Sequence, residues 1–302
     1  MAVRRFALSL VYLAIMSIRA PANDDKQAEA RAITQRAGKR EQPKQDPQLG
    51  SLTGRFTFDG EPPEPRESDP LLARLEADAP LPRDSEGRVF GISILYQAFL
   101  QHDIRPRTTD ESLLVGKDRG VANIVVWAES PNIPWKAAPQ TRPASPTIRL
   151  RGGNFEPRLV LLNPDQPLTV ANHDPVALGI HAYFRRNPEI IDKLPANTVD
   201  RPKSWTLEKA EKTPIWYRCD QAPWAQGWIV VRDNPYMAVT DAEGRFEIPN
   251  LPQGEWEFRA WHERQGYLKH WPKGLFKQKI AKGVSDLGTI ALQPEKFEHK
   301  PK

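Results

Sequence analysis

One cysteine, Cys219, stands in 302 residues. It cannot form an intramolecular disulfide. A single thiolate also excludes Cys-rich zinc sites and iron–sulfur clusters, which need several thiolates on one metal. Charge of one sign is scarce as well. Forty-three Lys and Arg oppose 38 Asp and Glu, a formal net charge of +5. Arg4, Arg5 and Arg19 account for more than half of it at 1–22, where there is no acid, so the rest of the chain is almost neutral. Nucleic-acid binding therefore lacks the basic surface it requires. No glycine-rich phosphate loop and no internal repeat is present. Apart from the stretch Phe6–Ile18 no apolar run approaches membrane length, and a spanning helix needs ~20 residues.

Proline is plentiful, with 30 prolines beside 18 glycines. That argues against a mostly helical chain, because proline is excluded from helix interiors. The two together stay below the ~25–30% of a low-complexity disordered sequence. Nine tryptophans add the bulk of a folded core or of an aromatic binding surface.

The segment 1–22 has the anatomy of an export signal: basic Met1–Arg5, apolar Phe6–Ile18, then Ala20-Pro21-Ala22 as a small-x-small cleavage pattern. The expected location is periplasmic or secreted, with membrane contact only through this segment if it stays uncleaved. Residues 23–50, with six basic and five acidic side chains, read as a disordered linker. Residues 293–302 read as a tail.

Strand signals dominate the remainder. Leu52–Phe58 alternates with period two and ends at Asp59-Gly60. Residues 61–110 look like an insertion, with short helices expected at 71–77 and 91–102. From Val121 onward, short strands alternate with Gly, Pro and Asn punctuation: 121–127, 147–150, 158–162, 168–171, 204–207, 215–219, 227–232, 236–240, 245–249, 255–261 and 288–292. That spacing predicts an all-β sandwich architecture.

Within 147–232 the order is specific. Phe155-Glu156-Pro157 opens a strand, Asn163-Pro164-Asp165-Gln166 turns into Leu168–Asn172, Asn172-His173-Asp174-Pro175-Val176 follows, and a later strand reaches Cys219 before Pro223-Trp224 and Gly227–Val231. This resembles the cupredoxin-like domain of planctomycete-type exported proteins of the methylamine-utilisation-like kind. Glu111–Val115, Val121–Val126 and Arg232–Thr240 also fit that family. The resemblance implies a cupredoxin-like Greek-key β-sandwich. Thr240–Ile248, Pro249–Gly254 and Glu255–His262 read as strand, turn and strand with Trp256, Phe258 and Ala260 on one face. They resemble the transthyretin-like, carboxypeptidase regulatory-like fold. The expected organisation is 51–140 as first strands of the regulatory-like sandwich with its insertion, 145–232 as the cupredoxin-like domain, and 233–292 as the regulatory-like segment. Two sandwiches in succession are the alternative.

A type 1 copper centre needs two imidazoles, a thiolate and a weak axial thioether. The resemblance places the loop histidine at Ala222 and the methionine at Ala225, and alanine ligates nothing. The upstream histidine falls on Leu178 by direct counting, or on His181 with a three-residue insertion. The leading expectation is an exported non-enzymatic structural or interaction protein with a degenerate copper site, no cofactor and a protein or cell-surface partner. One rival is a copper-binding electron-transfer protein using Cys219, His181 and His173. Another is a glycan-binding module using loop tryptophans, with Trp224 and Trp271 the best candidates. Cys219 as a nucleophile finds no local support, and Asp220 beside it disfavours the thiolate.

Overall fold

The computed structural model describes residues 49–64, 85, 94–134, 146–220 and 222–297. The export signal, the 71–77 helix and all but the end of the linker lie outside these residues. Among the described residues no helix is long and apolar enough to cross a membrane.

The fold is all-β, with strands β1 (Leu49–Phe58), β2 (Val125–Ala128), β3 (Thr147–Arg151), β4 (Asn154–Glu156), β5 (Leu159–Leu162), β6 (Pro167–Asn172), β7 (Leu178–Ala182), β8 (Ile190–Leu194), β9 (Lys203–Thr206), β10 (Ile215–Cys219), β11 (Ala222–Val231), β12 (Met237–Val239), β13 (Arg245–Pro252), β14 (Gly254–His262), β15 (Gly266–Tyr267), β16 (Leu275–Ile280) and β17 (Gly283–Leu292). One short helix, α1 (Ile94–Leu100), falls inside the expected 91–102 helix. Strands β7, β8, β15 and β16 do not stand out in the sequence pattern. β15 is only two residues long, and the apolar sets of the others are small and broken by Gly179, His181, Asp192 or lysines, so the alternation is faint.

Among the described residues the strands form four sheets: β13-β1-β17, β12-β2-β14-β15 with β16 on β14, β5-β11-β10-β7-β8, and β4-β3-β6-β9. Three apolar seams alternate with them. Leu52, Phe56, Val126, Phe258, Ala260 and Phe246 fill the seam between the first two sheets. Val125, Trp127 and Trp261 of the second sheet meet Leu159 and Val230 of the third. Ile148, Leu168, Val170, Ile180, Tyr217 and Ile229 fill the seam between the third and fourth. Period-two alternation explains how β2 serves two seams. Val126 and Ala128 point one way and Val125 and Trp127 the other, and all four are buried. A continuous apolar run is the composition such a central strand requires.

Sandwich β3–β11 pairs β3 with β6 and β5 with β11 in parallel, and the remaining ladders are antiparallel. These crossovers between two packed sheets give the Greek-key, cupredoxin-like layout. Asp174 stitches one end. Its carboxylate accepts the N–H groups of Gly152 at 2.7 Å and Gly153 at 2.9 Å, holding the β3–β4 turn. The other sandwich has β1 at the centre of its first sheet, antiparallel to β13 and parallel to β17. Gly54 sits opposite Phe246 there, and the Phe246 ring occupies the space a side chain at 54 would need.

The β12–β13 turn follows its sequence signal. Gly244 adopts φ +75°, and the Asp241 carboxylate accepts the N–H groups of Glu243 at 3.0 Å and Arg245 at 2.8 Å. A Cβ at 244 would lie 2.1 Å from the Phe56 carbonyl oxygen. Gly244→Ala is therefore expected to destabilise the protein by about 3 kcal/mol, combining left-handed strain with a backbone clash. Chemical denaturation checks this, and a loss under ~1 kcal/mol contradicts the account. The second expected turn is shorter than its signal. β13 runs on to Pro252, with Asn250 at φ +59°, so the reversal is confined to Pro252–Gly254.

Candidate functional site

The inner face of β10 carries Ile215, Tyr217 and Cys219, each at most 2% exposed. Ala222 and Ala225, where the resemblance places the loop histidine and the methionine, are fully buried with Cys219. Leu178, where direct counting places the upstream histidine, is 2% exposed and belongs to the same apolar cluster. The positions expected to carry ligands are thus part of the hydrophobic core.

Trp224 lies beside them. It is not a loop residue open to ligand but a member of β11, 5% exposed. Its indole N–H donates to the Gly153 carbonyl at 3.1 Å, and its ring meets Tyr96 edge-on at 5.8 Å. Tyr96 and Phe99 both come from α1. The insertion therefore supplies the aromatic cover for this end of the sandwich, and that cover removes Trp224 from the glycan-binding candidates. Trp271 is half-buried, stacked on Phe276 at 4.4 Å and edge-on to Phe56 at 6.3 Å.

His181 belongs to a different face. It pairs across the ladder with Arg218, and Tyr217 pairs with Ala182. Side chains alternate along a strand. Cys219 shares the inner face with Tyr217, whereas His181 shares the outer face with Arg218. The structure thus sets the thiol and this imidazole on opposite sides of one sheet. His173 follows the end of β6, half-buried, its N–H donating to the Leu150 carbonyl at 2.9 Å. Among the described residues no group of three or more His, Cys, Asp and Glu side chains is placed to hold a metal ion. Cys219, His181 and His173 are not brought together, and the residues around Cys219 do not fit a copper ligand set.

The outer face around His181 is invisible to sequence reading. One imidazole nitrogen lies 2.8 Å from Glu189 Oε1 and the other 3.1 Å from Asp220 Oδ2. Tyr183 stacks on His181 at 3.9 Å and on Trp216 at 5.4 Å. The Arg218 guanidinium lies over Trp216 at 4.8 Å and donates to Asp220 Oδ1 at 2.7 Å. Desolvation works the other way, but hydrogen bonds from His181 and Arg218 hold the Asp220 carboxyl below its ordinary value. Ring faces that a sugar would stack on are partly taken up within this row. Buried Glu211 shapes the segment between β7 and β8. Its Oε1 accepts the N–H groups of Arg186 at 2.9 Å, Asn187 at 3.2 Å and Arg185 at 3.3 Å. No local pattern reveals this contact, because Glu211 is 24 residues from Asn187.

A third polar cluster lies between the two sandwiches. Arg158 forms a two-pronged pair with Glu263, Nε to Oε1 at 2.7 Å and NH2 to Oε2 at 2.8 Å, and the Trp228 indole N–H donates to Glu263 Oε2 at 3.1 Å. Burial acts against the charge on Arg158, and the Glu263 carboxylate outweighs it, raising the guanidinium pKa. Next in sequence, His262 is fully buried. Burial first, then the Arg264 and Arg158 cations, push it down to about 3.

No family model matches this sequence, and no curated protein does. Comparison with solved structures finds cupredoxins. A purple cupredoxin from Nitrosopumilus maritimus is 17% identical with a TM-score of 0.24, over 28% of this chain and 98% of that one. A methionine-to-alanine mutant of amicyanin in its Cu(I) form is 18% identical with a TM-score of 0.26, over 35% of this chain and 98% of that one. A copper-containing nitrite reductase from Thermus scotoductus SA-01 is 17% identical with a TM-score of 0.26, over 33% of this chain and 25% of that one. The cupredoxin-like layout of β3–β11 rests on its own strand order and register.

Proposed function

We propose that this chain is an exported, non-enzymatic interaction protein. It uses a cupredoxin-like sandwich as scaffold and a second, regulatory-like sandwich as its companion. One observation carries the reading. Leu178, Cys219, Ala222 and Ala225, which stand at or beside the positions a copper site would need, pack together in the apolar core. A small buried thiol behaves there as an apolar side chain. A fold used as scaffold keeps its packing when the chemistry of a site is lost, because the two depend on different residues.

The test is metal content and visible spectrum of the full chain after copper loading and dialysis. The expected result is no retained copper and no thiolate-to-copper band. Cys219 is expected to resist thiol reagents until the protein unfolds. One equivalent of retained copper with an intense visible band, lost in Cys219→Ala, would overturn the reading and restore the electron-transfer alternative.

A further inference from the structure

The outer face of the sheet β5-β11-β10-β7-β8 is one surface with two fates. On the β5 and β11 side it is covered. Leu159, Leu161, Trp228 and Val230 meet Val125, Trp127, Met237 and Trp261 of the second sandwich, with Trp228 edge-on to Trp261 at 4.9 Å. On the β10, β7 and β8 side no residue among those described joins that seam. Trp216 stands directly across the ladder from Trp228, so the aromatic surface continues out of the covered half without a break.

The register defines what the open half presents. Arg218 stands opposite His181, and His181 opposite Ile191. Ile191 is 69% exposed, the most exposed large apolar side chain among the described residues. Lys193 lies two residues along the same face of β8, Glu189 lies just before the strand on the other side, and both are exposed. The pattern along this strand is acid, apolar, base.

We propose that this face is a self-association surface, and that its occupant is a second copy of this chain. A two-fold axis normal to the sheet cannot bring the same face of two copies together; an axis lying in the interface and crossing β8 at Ile191 can, and it reverses the strand. It sets Ile191 against the second copy's Ile191 and lays Lys193 over the second copy's Glu189, twice; it also brings Arg218 opposite its counterpart, each guanidinium already paired with Asp220 of its own copy. An isologous contact requires a patch that complements itself under such a reversal, and opposite charges spaced evenly about a central apolar residue satisfy it. Edge-to-edge strand addition is the competing geometry, and β8 is built against it. Its edge carries Lys193, and Asp192 turns inward to Lys203 Nζ at 3.2 Å. Charges at an edge and inward-pointing charges both disfavour strand addition. The association is therefore face to face.

This inference names a partner for the interaction reading, and its readout is mass rather than metal, so the two fail separately. Sedimentation velocity of the full chain over a concentration series is expected to show a monomer–dimer equilibrium. Ile191→Asp is expected to weaken the dimer roughly 30-fold or more, the scale of a hot-spot loss. Lys193→Glu sets like charges over one another and is expected to weaken it as well. The double variant Glu189→Lys with Lys193→Glu restores the pairing with reversed polarity and is expected to recover dimer relative to Lys193→Glu alone. Ile191→Cys is expected to be captured as a dimer by a short bis-maleimide, which spans the ~10 Å between facing sheets, since native Cys219 is buried. A wild-type monomer at all concentrations overturns the proposal, as does a dimer that Ile191→Asp and Lys193→Glu leave intact. Circular dichroism of each variant confirms that the fold is retained, as expected for side chains this exposed.

Discussion

Replacing Glu263 with alanine is expected to lower the unfolding free energy by about 3–5 kcal/mol, because it strands the Arg158 guanidinium in an apolar seam. The paired side chains are only 11% and 6% exposed. The bidentate geometry satisfies two N–H groups at once, and the Trp228 indole N–H shares the same carboxylate. The truncation leaves three donors short of an acceptor, and only the longer 3.4 Å bond from Arg158 to the Gln226 carbonyl remains. A buried ion pair need not stabilise relative to a well-packed apolar pair, so the double replacement Arg158→Met with Glu263→Leu is expected to recover most of the loss. Urea denaturation of Arg158→Met, Glu263→Leu and the double variant closes the cycle. Additive effects would show that the pair is not coupled across the seam.

The second large effect is a pH dependence. His262 has a pKa of about 3 in the folded protein and an ordinary value of 6.5 when unfolded. Between these values the unfolded chain takes up a proton that the folded chain refuses. Stability from this residue is thus fully present above pH 6.5 and lost as pH falls toward 3. The limiting slope is about 1.4 kcal/mol per pH unit, and the whole window amounts to roughly 4–5 kcal/mol. The carboxyls of Asp110, Asp220 and Asp241 are held below their ordinary 3.8, so their contributions fade only at lower pH. The interval from about 4.5 to 6.5 therefore reports mainly on His262. His262 Nδ1 accepts the Arg264 N–H at 3.3 Å, a role an asparagine carbonyl can take over. His262→Asn is expected to flatten the slope across that interval. An unchanged slope would place the proton uptake elsewhere.

Both effects lie outside what the sequence displays. Arg158 and Glu263 are 105 residues apart, and nothing near either one marks the other as its partner. His262 and Glu263 read locally as a strand end with bland polar contacts. Glu263 is buried only where the two sandwiches meet, and His262 only where Phe297, from beyond the end of β17, closes edge-on over it at 5.1 Å. The candidate metal residues divide in the same way. Cys219, Ala222 and Ala225 can be singled out because they are close together in the chain. The face on which His181 points cannot, because it depends on the register of β7 against β10, and a shift of one residue would reverse it. The same register creates the row Trp216, Tyr183 and His181. Strand β8, which carries Ile191, is too short and too interrupted to be seen in advance.

What the sequence determined by itself was the all-β class and the local turns. Period-two alternation, the apolar run of β2 and the Asp241–Gly244 signal act over short stretches, where backbone sterics and side-chain direction decide. What the tertiary structure alone decided was which strands pair and which faces are covered. β1 lies between β13 and β17, both from the far end of the chain, and Trp224 is buried because Tyr96 arrives from a helix far upstream. Such pairings are selected by burial of apolar area, which is non-directional and carries no address in the chain. Only the assembled sheets specify where each side chain ends.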